Sequence, residues 1–217
     1  ELASKPYAAA RRALINPRRA MESVPYGRVL AGGDTVYISA VDGEGNACSF
    51  IYSIFANFGT GMVVPDTGIV LHNRGSLFSL DPDHPNALAP NKRPYHTIIP
   101  AMATVGGELY LCYGVMGAFM QPQGHLQVIS NMVDFGMDPQ AALNALRFMV
   151  VENGVALEEG VSPELVRALE DRGHRVRTIS GYQRGGLGGG QIIQRDPETG
   201  VLRGGSEPRK DGCAVGW

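Results

Sequence analysis

The run TVYISAV, Thr35 to Val41, is followed by Asp42-Gly43-Glu44-Gly45-Asn46 and then by ACSFIYSI, Ala47 to Ile54. Both flanking runs are rich in β-branched and aromatic residues, and the stretch between them carries an Asp, two glycines and an Asn, the residues that turns require. Together they read as a β-hairpin. Downstream, Ile98 to Val105, the Gly106-Gly107 turn and Leu109 to Val115 repeat the pattern and predict a second hairpin. Gly68 to Leu71 reads as a further short strand. Helical spacing then takes over: Leu126, Val128, Ile129, Met132 and Val133 share one broad face of a helix over 124–135, ended by Gly136. Pro139 to Phe148 reads as a short helix, and Ser162-Pro163 opens another that stops at Gly173. His174 to Ile179 and Gln191 to Gln194 return to strand on either side of the glycine-rich 181–190. Hairpins, then helices, then strands again predict an α+β fold with antiparallel sheets and helices packed outside, not an alternating parallel βαβ fold.

Upstream of the hairpin, residues 1–25 read as helical, with Ser4 as cap, Pro6 in the first turn and a break at Pro17. Arg11, Arg12, Arg18 and Arg19 read as a solvated face. Ser76 to Pro94 carries Pro82, Pro85, Pro90 and Pro94 and reads as a long ordered loop, a type often tied to function.

Composition removes several classes of function. With 217 residues, 44% of them hydrophobic and 18% charged, the chain can bury a sizeable core, and wholesale disorder is excluded. A net charge of -2 excludes nucleic-acid binding driven by bulk basicity. No apolar run approaches the ~18 residues of a membrane helix. Nothing reads as a signal peptide, but the chain opens on Glu1, so the compartment, cytoplasmic or periplasmic and secreted, is left open. Cys48, Cys112 and Cys213 are too widely spaced for a disulfide framework and form no CxxC pair for zinc. Their flanks read as strand or core, where a free thiol acts as a small hydrophobe. His72, His84, His96, His125 and His174 give neither an i,i+4 pair nor HExxH. The glycines at 43–45 and 185–190 lack the Lys-Ser/Thr and the strand-to-helix setting of a nucleotide loop. Neither a metal nor an organic cofactor is expected.

The informative junction is Gly32-Gly33-Asp34-Thr35, which opens straight into the first strand. It is followed in order by Gly45-Asn46-Ala47, Phe58-Gly59-Thr60-Gly61, Gly68-Ile69, Lys92-Arg93-Pro94, Pro100, Gly114-x-x-Gly117 and Ser206-Glu207-Pro208-Arg209. From about Thr35 to the last residue, this series resembles the small subunit of the γ-glutamyltransferase (γ-glutamyl transpeptidase) family. The resemblance implies the four-layer αββα sandwich of the N-terminal-nucleophile hydrolases. It also implies a precursor that cuts itself before a Thr, which becomes the nucleophile and the new N-terminus. Here the scissile bond would be Asp34–Thr35. Residues 1–34 would end the large subunit and 35–217 would form the small, catalytic subunit. The partners implied are the large subunit from the same precursor and a small-molecule amide.

That chemistry has a physical basis. A Thr hydroxyl is a weak nucleophile and needs a base. A free α-amine, with a reference pKa of about 7.7–8.0, supplies one near neutral pH. Gly32-Gly33 would allow the bent backbone that self-attack needs. By the resemblance, Ser53 matches a second hydroxyl that steadies the nucleophile, and Gly117-Ala118 matches two glycines whose N–H groups hold the oxyanion. A Gly→Ala change leaves such backbone donors in place where the dihedrals allow it.

Departures from the family pattern bear on the substrate. The family's Asn two residues after the second hydroxyl is Phe55, its acidic residue falls at Leu77, and its Ser-Ser pair is His96-Thr97. Neither Phe55 nor Leu77 can pair with an α-ammonium, and a buried unpaired ammonium is costly. His72, Asn73, Arg74, His96 and Thr97 instead suggest an acyl group ending in a carboxylate, a dicarboxylic monoamide. This is similar to the acylase-like branch of the family, with its glutaryl-cephalosporin acylases and oxamate amidohydrolases. The expectation is therefore an amidohydrolase or acyltransferase forming an acyl-enzyme on Thr35. The alternatives are a glutathione hydrolase or γ-glutamyl transpeptidase proper, and a non-catalytic relative that keeps the fold as a binding module.

Overall fold

The structure is a computed structural model that describes residues 4–21, 34–56 and 58–217, with the Asp34 side chain outside the description. The Gly32-Gly33 pair also falls outside the described residues. Helix α1 spans Lys5–Arg12, its start capped by Ser4 Oγ, which accepts from Tyr7 N at 3.3 Å. Strands β1 (Asp34–Val41) and β2 (Ala47–Phe55) form the first predicted hairpin, and β3 (Ala101–Val105) and β4 (Glu108–Met116) the second. Helices α2 (Met120–Val133) and α3 (Pro139–Asn144) follow, then β5 (Phe148–Val151), β6 (Gly154–Glu158), α4 (Pro163–Glu170), β7 (Val176–Ile179), β8 (Gly189–Arg195) and β9 (Leu202–Ser206).

The strands form an antiparallel pair β1-β2, an antiparallel sheet β3-β4-β8-β9, and a third sheet β5-β6-β7. Alternation along β1 and β2 decides how the first two stack. Tyr37 is buried, and its ring stands where a Cβ on Gly114 of β4 would fall, 2.6 Å away. Its hydroxyl is 2.6 Å from Ser49 Oγ, and Ser49 Oγ in turn donates to Tyr113 O at 3.5 Å. The opposite face of the large sheet packs on α2 and α3 through Leu111, Val115, Val128, Met132, Ala142, Leu143 and Ile192. One helical layer and two sheet layers are thus present, in keeping with the predicted sandwich. The outer face of β1-β2 is apolar and open: Val36, Ile38, Phe50 and Tyr52 are all more than half exposed.

The third sheet is tied to β8 and β9 by buried ions. Glu158 on β6 pairs with Arg209 and, at 2.7 Å, with Arg184, while Glu207 holds Arg209 at 2.7 Å and Arg147 at 2.8 Å. Burial alone would raise Glu158, but hydrogen bonds from Arg209, the Arg147 N–H and Arg184 outweigh it and keep its pKa below the usual carboxylate range.

Several expectations are corrected. β6, α4 and β7 form a parallel βαβ unit, so the sheets are not all antiparallel. The helix over 124–135 begins earlier, at Met120. Its Pro122 lies in the first turn, where the missing N–H costs nothing. The helix from Pro139 ends at Asn144, and Phe148 belongs to β5. Residues 68–71 contribute only an isolated bridge, Val63 to Val70. Of the expected helix over 1–25, the part beyond Arg12 is turn, and 22–25 lie outside the described residues. Cys112 is buried as expected, but Cys48 and Cys213 are exposed. Among the described residues no helix is long and apolar enough to cross a membrane, and no His/Cys/Asp/Glu group could hold a metal.

Candidate active site

Thr35 and Ser53 are cross-strand partners on the inward side of β1-β2. The Thr35 hydroxyl donates to Ser53 Oγ at 3.0 Å. Ser53 Oγ also receives Phe55 N–H at 3.0 Å and Arg74 Nη2 at 3.0 Å. One oxygen therefore orients the Thr35 side chain, the end of β2 and a guanidinium. Immediately beyond this pair the ladder slips: Asp34 sits opposite Phe55, not Ile54. Phe55 takes up the irregularity with φ of 79°, a left-handed value that is strained for a non-glycine residue. The bulge falls at the Asp34–Thr35 bond, where bulges commonly redirect a side chain.

Arg74 opens a 3-10 turn, Arg74–Leu77, and is buried at 7% exposure. Its Nε donates to Thr97 Oγ1 at 2.7 Å, and its guanidinium lies 5.7 Å from the centre of the Phe55 ring. Burial pulls its pKa below the ordinary value, yet an Arg stays protonated in a protein. Among the described residues no carboxylate pairs with it. A buried cation with hydroxyl and aromatic partners and no carboxylate beside it has the chemistry to accept an anion.

The neighbouring predicted residues divide by task. The Asn73 side chain is spent on backbone: Oδ1 accepts Ala56 N–H at 3.0 Å, and Nδ2 donates to Ala56 O at 3.1 Å and Gly59 O at 3.0 Å. It ties Ala56 and Gly59 to the start of the Arg74 turn. His72 is exposed, and its Nδ1 accepts Arg74 N–H at 3.2 Å. His96 is exposed next to the buried Thr97. Leu77 offers its carbonyl to Asn86 Nδ2 at 2.8 Å.

Gly117 and Ala118 form the turn from β4 into α2, with φ of 134° and 50°. Their carbonyls accept Met120 N–H at 2.9 Å and Gln121 N–H at 3.1 Å, while among the described residues neither amide donates. The N-terminal end of α2 adds partial positive charge here. The segment that carries Thr97 lies against this turn: Ile99 N donates to Gln121 Oε1 at 2.9 Å, and the Tyr95 and Phe119 rings are 6.2 Å apart. Thr35, Ser53, Arg74 and Thr97 are thus joined by direct hydrogen bonds, and Tyr95 and Ile99, two residues either side of Thr97, touch the 117–121 turn. The glycine-rich stretch explains itself beside it. A Cβ on Gly188 would come within 2.8 Å of Met116 O, and one on Gly117 within 3.0 Å of the Gly188 Cα, so backbone meets backbone.

A family model described as Gamma-glutamyltranspeptidase matches residues 1–217. The chain belongs to the γ-glutamyltranspeptidase family. Within that family it is 41% identical over 191 residues to the glutathione hydrolase-like YwrD proenzyme of Bacillus subtilis, covering 85% of this chain and 36% of the relative. It is 37% identical over 199 residues to the oxamate amidohydrolase proenzyme of Klebsiella pneumoniae, covering 89% of this chain and 37% of the relative. Its fold matches the crystal structure of a cephalosporin acylase from Bacillus halodurans with a TM-score of 0.89 and 46% identity, over 100% of this chain and 39% of the other. The chain therefore spans less than two-fifths of the length of these γ-glutamyltranspeptidase relatives. The family and the α+β sandwich agree with the sequence reading.

Two groups lay beyond that reading. Arg147, Glu158, Glu207 and Arg209 form the buried ion network, of which only Glu207 and Arg209, in the Ser206–Arg209 motif, were legible. His125, which the sequence reading placed in no metal motif, is buried and bonded to the backbone of β4, with no sequence signal for that contact.

Proposed function

We propose that this chain carries the catalytic part of an amidohydrolase that acylates Thr35, with a substrate that presents a carboxylate to Arg74. The observation that carries the reading is the Thr35–Ser53–Arg74 contact. Two hydrogen bonds of 3.0 Å meeting at Ser53 Oγ keep the Thr35 hydroxyl and the Arg74 guanidinium within about 6 Å of each other. A substrate carboxylate on Arg74 then lies close to the carbonyl that Thr35 attacks. A short dicarboxylic monoamide fits this spacing. Phe55 and Leu77 give no charge to an α-ammonium, which weighs against γ-glutamyl substrates. The similarity to proteins named as an oxamate amidohydrolase and a cephalosporin acylase supports the same choice.

In this reading the uncut chain first uses Thr35 Oγ on the Asp34 carbonyl. The C–O bond forms, the Asp34–Thr35 C–N bond breaks, and the nitrogen takes up the hydroxyl proton. Water then opens the ester, leaving an Asp34 carboxylate and a free Thr35 amine. That amine removes the hydroxyl proton as Oγ adds to the substrate carbonyl, and returns it to the departing amine. The Gly117 and Ala118 amides stabilise the charge on the carbonyl oxygen. Water completes the cycle by the same route. The exposed apolar face at Val36, Ile38, Phe50 and Tyr52 supports a partner layer from the remainder of the precursor.

The test is a substrate panel of oxamyl, glutaryl and γ-glutamyl amides on the full-length protein, beside an Arg74→Met variant. Oxamyl or glutaryl turnover that falls at least about 100-fold in kcat/KM in the variant supports the reading. Exclusive turnover of γ-glutamyl amides, or no effect of the variant, refutes it.

A further inference from the structure

Strand β3 stops pairing with β4 at Tyr113, whose partner is Ala101. Val115, two residues on, faces β8 through Gly190 but has no β3 partner. Its N–H does not go unsatisfied: it donates to His125 Nε2 at 3.0 Å. His125 lies in α2 at 9% exposure, its ring 5.2 Å from that of Tyr113. The preceding residue makes this reach feasible. A Cβ on Gly124 would fall 2.6 Å from Val115 Cγ1, so only glycine lets α2 approach β4 so closely. An acceptor at Nε2 requires the neutral ring with its proton on Nδ1.

Two residues after Val115 comes Gly117, the start of the turn whose amides face the reaction in the reading above. We propose that His125 is a positioning residue for this oxyanion turn. Its imidazole replaces the missing strand as acceptor for Val115 and anchors the end of β4, so that the Gly117 and Ala118 amides keep one direction. The inference rests on the Proposed function for its catalytic consequence, but not for the anchoring itself.

The full-length protein is compared with His125→Leu, which removes the acceptor, and His125→Gln, whose Oε1 can take the place of Nε2. Amide hydrogen exchange over 115–121 reads the anchoring without reference to any substrate. The His125→Leu protein is expected to exchange about tenfold faster there than wild type, and the His125→Gln protein within about threefold of it. With whichever amide the wild type turns over, His125→Leu is expected to lower kcat about 30-fold with KM within about twofold, and Gln to restore most of it. Wild-type exchange in the Leu variant, or equal damage from Leu and Gln, overturns the anchoring. Faster exchange with unchanged kcat overturns the catalytic role. A wild type inactive on every amide refutes the Proposed function instead, while the exchange result still decides the anchoring.

Discussion

Thr35 and Ser53 stand directly opposite each other on β1 and β2, and the Thr35 hydroxyl donates to Ser53 Oγ at 3.0 Å. The same oxygen receives Arg74 and the Phe55 amide, so one small side chain sets the positions of the Thr35 hydroxyl, the cation and the strand end. Replacing it with Ala leaves all three without that acceptor. Ser53→Ala is expected to slow both self-cleavage and turnover by about 10- to 100-fold, since small misplacements of reacting groups cost that much. Time-resolved gels and steady-state kinetics check this. Unchanged rates would remove Ser53 from the site.

Ala118 has φ of 50° where an L-residue is strained by roughly 1 kcal/mol. Ala118→Gly relieves the strain but adds freedom to the unfolded chain. The net expectation is a gain of about 0.5 kcal/mol in denaturant unfolding, with kcat within about twofold because the amide donors are backbone groups. A loss of stability would contradict the conformational reading.

Glu158 is fully buried between Arg209 and Arg184, whereas Glu108 pairs with Arg195 at 4.0 Å with its side chain 79% exposed. The two make a controlled comparison. Glu158→Gln removes the buried charge that Arg209 and Arg184 share, leaving Arg209 with Glu207 alone, and is expected to cost about 3 kcal/mol, against less than about 0.5 kcal/mol for Glu108→Gln. Equal costs in the same unfolding titration would show that the buried network adds nothing.

Burial holds His125 neutral, with its pKa pushed down to about 4. An unfolded His titrates near 6.5. Between these values the unfolded chain binds a proton that the folded chain refuses, so stability is intact above about pH 6.5 and declines as pH falls toward 4. The decline reaches on the order of 3 kcal/mol. His125→Gln should flatten this part of the stability curve. A slope that persists in the variant would assign it to other groups.

The hairpin at Thr35 was legible because its strands alternate and its turn carries Asp, Gly and Asn. Other elements were hidden for identifiable reasons. Pro122 and Gly124 disguised the start of α2, although Pro122 sits in the first turn and Gly124 is needed against Val115. β6 is buried at Val155 to Glu158 and shows no alternation, so its parallel pairing with β7 left no period to read. β9 contains Gly204-Gly205, poor strand formers, and a Cβ on Gly205 would meet Pro139 C at 2.8 Å. At the site, the residue types were visible but their tasks were not. Arg74 was expected near a substrate carboxylate, but its contacts with Ser53 and Thr97, which are distant in sequence, left no local signal. Asn73 was expected among the substrate-binding residues, and its side-chain bonds to Ala56 and Gly59 were not legible.

The central claim is that Thr35 is a nucleophile that first acts on its own chain. Intact-mass measurement of the full-length protein during incubation tests it without any choice of substrate. The account predicts that the precursor mass gives way to two masses that add up to the precursor plus one water, with the smaller fragment beginning at Thr35, and that Thr35→Ala remains whole. A wild-type chain that stays uncut, or a Thr35→Ala chain that cuts at the same bond at the same speed, would contradict it.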